Sequence, residues 1–217
     1  MEVDLTRERL LHAALEVFAA HGYHGASTRD ICTAANAGNA AIHYHFRDKT
    51  GIYRELFMRM LDDFEQRMRA ARIGSLRGRE ALRVYYKALM RPLAEDPGIA
   101  QQIVLYSREE LQPTGLVDDL LPRGLQLQVE LLGDVLRREL GTERLDAALQ
   151  RLVISLHGLA LIYVFKQRVI RSVLPATMDG PNWLGRLTVQ LAETGESLIE
   201  MERRRRQNVA RRRTRAA

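Results

Sequence analysis

Thr28 and Arg29, then Asn39, Ala40, Ala41, His43, Tyr44 and His45, then Lys49 crowd hydroxyl, guanidinium, amide, imidazole, phenol and ammonium groups into one short stretch. A threonine opening a helix offers its hydroxyl and an unpaired backbone N–H to a phosphate, with help from the helix dipole. An arginine beside it reaches a phosphate or a guanine edge, the latter contributing about 1–3 kcal/mol of base discrimination. Asn39 can pair with adenine, and Ala40 and Ala41 can touch a thymine methyl. Lys49 can close a clamp on a phosphate. His43 and His45 also invite a metal reading, but residues two apart on a helix point about 200° apart, so no metal site is expected.

These groups act together only if short elements hold them. Leu11, Leu15 and Phe18, with Leu10 and Ala14 beside them, make an apolar stripe at helical spacing, predicting a first helix from Thr6, its cap, to about His21. Gly22 should stop it. Ser27 with Asp30 three residues on reads as a capping box opening a second helix to about Ala35. Asn36-Ala37-Gly38 is a turn, since Asn and Gly accept the left-handed region cheaply. A third helix follows from Asn39 to about Phe46. Helices this short are marginal in water, so Ile31, Ala35, Ile42 and Phe46 are assigned to packing on each other and on Phe18. Cys32 is read as a small packing residue.

Two short helices about a tight turn form a helix-turn-helix, a pattern that is weak alone. The local string is stronger. Ser27-Thr28-Arg29-Asp30-Ile31, Ala35-Asn36-Ala37-Gly38 and Ala41-Ile42-His43-Tyr44-His45-Phe46-Arg47-Asp48-Lys49 closely resembles the DNA-binding domain of the TetR family, over about residues 6–55. The resemblance places Tyr44 and His45 near phosphates and His43 near bases. Two residues depart from its pattern: Asn36 stands where Gly is usual, and Gly38 where Ser is frequent. Both substitutes suit the backbone, with a few tenths of a kcal/mol at stake in the cap.

Beyond Lys49 the periodicity predicts helices at about 49–72, 77–94, 97–111, 115–140, 143–170 and 182–206, with Pro122 starting or kinking its own. The expected fold is all-α with about nine helices. Residues 1–50 form the three-helix DNA-binding domain, 51–206 a larger helical domain, and 207–217 a basic, disordered tail. The resemblance implies a small-molecule effector pocket in the larger domain and a two-fold homodimer through the 143–170 and 182–206 helices. Arg108-Glu109-Glu110-Leu111-Gln112-Pro113 and the Leu152–Phe165 run look like the C-terminal domain of CerR-type members. Candidate pocket residues are Phe64, Tyr85, Tyr86, Met90, Tyr106 and His157, because Met and aromatics line adaptable apolar sites. Taken singly, each also fits plain core. Tyr85 and Tyr86 should point about 100° apart, so only one should face a given cavity.

The net charge of +6 is misleading, because residues 203–217 hold eight arginines and no acid; removing them leaves −2. That end could touch phosphates or simply be a solvated terminus. An enzyme is not expected: the chain carries no Gly-rich phosphate loop, HExxH or GxSxG, and no catalytic residue or cofactor is assigned. The start is acidic without an apolar run, the 152–165 run is shorter than the roughly 20 residues of a membrane span, and one cysteine gives no disulfide or zinc framework. The expectation is a cytoplasmic, ligand-responsive regulator, a repressor by resemblance, that reads a pseudo-palindrome in double-stranded DNA as a dimer without touching a membrane.

Overall fold

The computed structural model describes the backbone of residues 2–216 and the side chains of residues 5–212. Twelve α-helices and no strand occur among the described residues. They are α1 (Glu2–Gly25), α2 (Thr28–Ala34), α3 (Ala41–Phe46), α4 (Lys49–Ala70), α5 (Gly78–Met90), α6 (Pro92–Glu95), α7 (Ile99–Leu111), α8 (Pro122–Leu140), α9 (Ala147–Phe165), α10 (Gln167–Val173), α11 (Pro175–Met178) and α12 (Trp183–Ala216), with a 3-10 turn at Ile73–Ser75.

The count exceeds the expected nine because two predicted helices divide and one short helix was not expected. The 77–94 helix breaks after Met90, the 143–170 helix at Lys166, and the short α11 begins at Pro175. Pro122 starts α8, as its missing N–H and fixed φ favour at a first helical position. Thr6 is not a cap, since α1 begins four residues earlier at Glu2. The tail expected to be disordered continues α12 through Ala216. Residues 203–216 contain no Gly or Pro and are rich in Arg and Ala, good helix formers. Glu200–Arg204 and Glu202–Arg206 pairs support the preceding turns.

The chain forms two compact units: the first holds residues up to Phe64 together with Asp96–Arg123, the second Glu65–Glu95 and Gly124–Ala217. α4 therefore runs from one into the other, and α7 joins the N-terminal unit rather than the body expected to begin at residue 51.

In the first unit, Phe18, Ile31, Ala35, Ile42, Phe46, Ile52, Tyr53 and Phe57 are buried in one cluster. α7 packs along α1 and supplies two polar anchors. Gly22, at φ 71°, kinks α1, and kinking a helix frees carbonyls in the turn before it. Arg108 meets two of them, donating from Nε to the Ala19 carbonyl and from Nη2 to that of Ala20, each at 3.1 Å. Its neighbour Glu109 is fully buried, accepting at 2.6 Å from the Tyr53 hydroxyl of α4 and at 2.9 Å from both the N–H and hydroxyl of Thr114. A buried carboxylate with every partner in place is tolerable; stripped of them it is costly. The Tyr53 hydroxyl is correspondingly held well above its ordinary pKa, by burial first and then by Glu109.

In the second unit α12 lies along α5 and also meets α9. Leu187, Leu191, Ala192 and Ile199 of α12 are buried, as are Leu82, Tyr85 and Tyr86 of α5 and Val153, Leu156 and Ala160 of α9.

The corner between α3 and α4 is the tightest point of the first unit. A Cβ placed on Gly51 would sit 1.9 Å from the Phe46 carbonyl oxygen, inside any van der Waals limit. Gly51→Ala should lower the stability of the first unit by about 1–3 kcal/mol, in the range of overpacked sites, with the α5–α9–α12 unit unaffected. Urea unfolding followed by hydrogen exchange at α3 amides checks this; unchanged α3 protection contradicts it.

Candidate nucleic-acid interface

The α2–turn–α3 segment is built from side-chain caps and one left-handed residue. The Ser27 Oγ accepts from the Asp30 N–H at 3.1 Å, and the Asp30 carboxylate accepts from the Ser27 N–H at 3.2 Å. This reciprocal box fixes the start of α2 and leaves Thr28 and Arg29 on its exposed first turn. Asn36 takes φ 48° and turns the chain. Gly38 has no positive φ; the α3 entry is a bend closed by the Ala41 N–H donating to the Gly38 carbonyl at 2.9 Å. α3 begins at Ala41, two residues later than expected, with no side-chain cap.

Residues of α3 divide by side. Ile42 and Phe46 are buried, confirming them as core. Asn39, Ala40, His43 and Tyr44 are exposed, while Ala41 and His45 are half-buried. Tyr44 is 76% exposed, its ring edge-on to His45 at 4.8 Å. Arg29 has no hydrogen-bond or ion-pair partner among the described residues. His43 Nδ1 lies 2.8 Å from the Arg47 carbonyl, so that nitrogen carries the hydrogen and donates it. In that tautomer Nε2 is an acceptor. Arg47 sits at φ 72°, ψ −52°, a costly conformation for a residue with a Cβ. It turns its carbonyl to His43, while the Asp48 carboxylate caps α4 by accepting from the Gly51 N–H at 2.7 Å.

Lys49 is engaged differently from its sequence reading. Its ammonium donates to the Tyr23 carbonyl at 2.9 Å and the Ala26 carbonyl at 3.0 Å, and stands 4.3 Å from the Tyr23 ring centroid. Tyr23 in turn pairs its hydroxyl with Thr50 at 2.8 Å. Lys49 thus staples the α1–α2 connection to the start of α4. Sequence reasoning gave no role to Tyr23 or Gly51, and no packing role to Arg108. Gly22 was the only sign that open carbonyls nearby would need donors. Cys32 is buried, and no group of metal-ligating side chains occurs among the described residues.

Of the six candidate pocket residues, Phe64 and Tyr106 belong to the first unit and Tyr85, Tyr86, Met90 and His157 to the second. Both adjacent tyrosines reach α9. The Tyr85 hydroxyl pairs with His157 Nδ1 at 2.9 Å and lies 3.3 Å from Gln128 Oε1, and the Tyr86 hydroxyl donates to the Leu156 carbonyl at 2.9 Å. Their partners are successive residues of that helix. His157 is pushed down to about 4 by burial, so it is neutral at physiological pH.

α9 is long and apolar enough to cross a membrane by length and composition, more so than the 152–165 run suggested. Within its unit, one side of it packs on α5 and α12.

An all-α chain with a capped helix-turn-helix at its N-terminal end and a longer helical body is the architecture of a one-component DNA-binding regulator. Residues 10–56 match the family model of bacterial regulatory proteins, tetR family. Residues 78–194, more than half of the chain, match the C-terminal domain of the HTH-type transcriptional dual regulator CecR. The chain belongs to the TetR family, and the body expected from residues 108–113 and 152–165 is of the CecR kind. The probable acrEF/envCD operon repressor of Escherichia coli K12 is 38% identical over 53 residues, 24% of each protein, so the match spans about a quarter of that relative. The fatty acid degradation regulator FadR of Bacillus halodurans shares the fold at TM-score 0.66 and 19% identity, over 88% of this chain and 94% of its own. FadR of Bacillus subtilis, solved with stearoyl-CoA, does so at TM-score 0.63 and 18% identity, over 89% and 97%.

Two outcomes follow. Lys49→Met should lower stability by about 1.5–3 kcal/mol, as for hydrogen bonds to a charged group, read as a drop in the urea midpoint; a midpoint equal to wild type would mean the staple is idle. For His157 the folded pKa lies below the unfolded value near 6.5. The neutral form therefore contributes its full stability above pH 6.5, and that stability is lost as pH falls towards 4. The loss is on the order of 3 kcal/mol at about 1.4 kcal/mol per pKa unit. His157→Asn should flatten the stability profile between pH 6.5 and 4; a wild-type profile already flat there would contradict the assignment.

Proposed function

We propose that this protein is a ligand-responsive transcription regulator, acting as a repressor, that binds a pseudo-palindromic operator as a homodimer and leaves it when a small molecule binds its body. The observation that carries the reading is the bare recognition row. Thr28, Arg29, His43 and Tyr44 are exposed on two helices, and Asn39 and Ala40 in the turn just before the second, while the opposite sides of both helices are buried in the core. Thr28 and Tyr44 suit phosphates, Arg29 a guanine edge or phosphate, Asn39 adenine, and the Ala40 and Ala41 methyls thymine. His43 Nε2 can accept from an exocyclic amine. His45 lies beside Tyr44 at the phosphate end. Lys49 adds its charge to that end while keeping its carbonyl partners.

A dimer is supported by the outer side of α9. Ile154, Ile162 and Phe165 are exposed, with Gly158 and Leu161 between them at helical spacing. On α12 Val189 is likewise exposed. An apolar helix side of that length calls for cover, and a second copy meeting α9 and α12 by a two-fold axis supplies it without a membrane. A dimer places two recognition helices about one DNA turn apart. For the effector, a site opened among Tyr85, Tyr86, Met90 and His157, which are packed together in the core, would have an apolar, polarizable lining with a neutral imidazole and two hydroxyls. That set suits a largely apolar ligand with one polar end. The acyl chain of the stearoyl-CoA in the Bacillus subtilis FadR structure is an apolar group of that kind. A ligand that binds better to a state with the wrong half-site spacing shifts the population off DNA.

Arg29→Ala, in a dimer of unchanged melting temperature, should weaken binding to a palindrome selected from random sequence by about 10-fold or more, the scale of one lost base or phosphate contact. Fluorescence anisotropy measures it. Affinity equal to wild type would remove Arg29 from the interface.

A further inference from the structure

The arginine run at the C-terminal end of α12 divides into two sets that the sequence presents as one. The first set is occupied. Arg203 pairs with Glu200 and donates to the Glu139 carbonyl at 2.9 Å; Arg204 pairs with Glu200 at 3.0 Å and Arg205 with Glu202 at 3.9 Å. Arg206 holds Glu202 at 2.8 Å and both oxygens of Asp146 at 2.9 and 2.8 Å. Asp146 is also the N-cap of α9, accepting from the Ala148 and Leu149 N–H groups. The helix is thereby stapled to its own unit as far as Arg206.

The second set has no acid in its own stretch of sequence. Residues 203–217 contain no Asp or Glu, and the positions one turn before Arg211 and Arg212 are Gln207, Asn208 and Val209. Arg211 and Arg212 are exposed and have no ion-pair partner among the described residues. Arg213 and Arg215 follow in sequence, so four like charges close a helix that continues through Ala216. Their mutual repulsion is unrelieved by neighbouring acids within the helix, although cations near a helix C-terminus are favoured by its dipole.

We infer that the last turns of α12 are a second, sequence-independent DNA-binding element, gripping duplex phosphates through Arg211, Arg212, Arg213 and Arg215. All the basic residues of the segment are arginine, whose planar fork matches phosphate oxygens bidentately. An anionic membrane is the poorer partner. A surface-lying helix needs a face of Trp, Phe or Leu opposite its charges, and after residue 201 the segment's only large apolar residue is Val209. Without these four arginines the net charge falls from +6 to +2, so this end holds most of the chain's net positive charge and adds long-range attraction to a polyanion.

The inference rests on the DNA-binding reading above, and the test separates the two. Wild type, a variant with all four arginines changed to Gln, a variant with all four changed to Lys, and a chain ending at Arg206 are titrated with one duplex carrying a selected palindrome, from 50 to 300 mM KCl. Each neutralised phosphate contributes about 0.9 to the slope of log K against log salt. The Gln and truncated forms should therefore show slopes shallower by about 2–4, with affinity reduced at least 10-fold at 50 mM and converging on wild type at 300 mM. The Lys variant should keep most of the slope. Equal slopes in all four proteins overturn the inference and leave the helix-turn-helix reading intact; a wild type that binds no duplex overturns both. Tail-dependent cosedimentation with phosphatidylglycerol vesicles, without a change in DNA slope, also overturns it in favour of a membrane.

Discussion

A helix of six residues cannot hold itself together in water, and α3 is such a helix. Everything the N-terminal unit does follows from that constraint. Ile42 and Phe46 bind α3 to the core by burial. At its end the Phe46 carbonyl drives straight over Gly51, with Arg47 forced to positive φ between them. On the other side Lys49 ties the start of α4 to the carbonyls left by the end of α1. The recognition row is therefore rigid by being clamped at one end and buried along one side, which leaves its polar side open without loss of order. Preorganised side chains lose little entropy on meeting a target, and this is how a short helix becomes a reading head.

The parts legible in the sequence are those whose physics is local. The Ser27–Asp30 box and the left-handed Asn36 each need only neighbouring residues to be satisfied, and each stands where expected; Gly22 kinks α1 instead of ending it, and Pro122 opens a helix expected to begin at residue 115. What escaped is long-range or cooperative. Lys49 looked like a free cation because the carbonyls of Tyr23 and Ala26, far back in the chain, leave no mark on its surroundings in sequence. Arg108 and Glu109 marked a subgroup without showing that they anchor α7 to α1 and α4. The division of the arginine run depends on Asp146 and Glu139, residues no periodicity connects to it. The sequence reading also treated arginine density as a sign of disorder, although the same residues are strong helix formers once the helix before them is stapled.

Charge is distributed unevenly along this molecule. The two units are laced by ion pairs such as Arg54–Asp119, Arg123–Asp62 and Arg79–Glu196, all at exposed sites where each adds little stability. Their larger effect is to neutralise parts of the surface, while Arg29, Arg211 and Arg212 are among the exposed cations left without an ion-pair partner. The buried polar groups do the opposite work. Glu109 with Tyr53 and Thr114, and Tyr85 with His157, sit in apolar surroundings where a lost partner is expensive. Such networks specify one arrangement of helices rather than adding bulk stability, and in a regulator the arrangement is what a ligand must change.

The central claim is that α3 enters the major groove of duplex DNA. Methylation interference tests it directly, because dimethyl sulfate modifies guanine N7 in the major groove and adenine N3 in the minor groove. With a selected palindrome, the account predicts two clusters of guanine interference on one face of the duplex, centred about 10 base pairs apart or a whole multiple of that. Interference confined to adenines, or a single cluster without a two-fold mate, would contradict it.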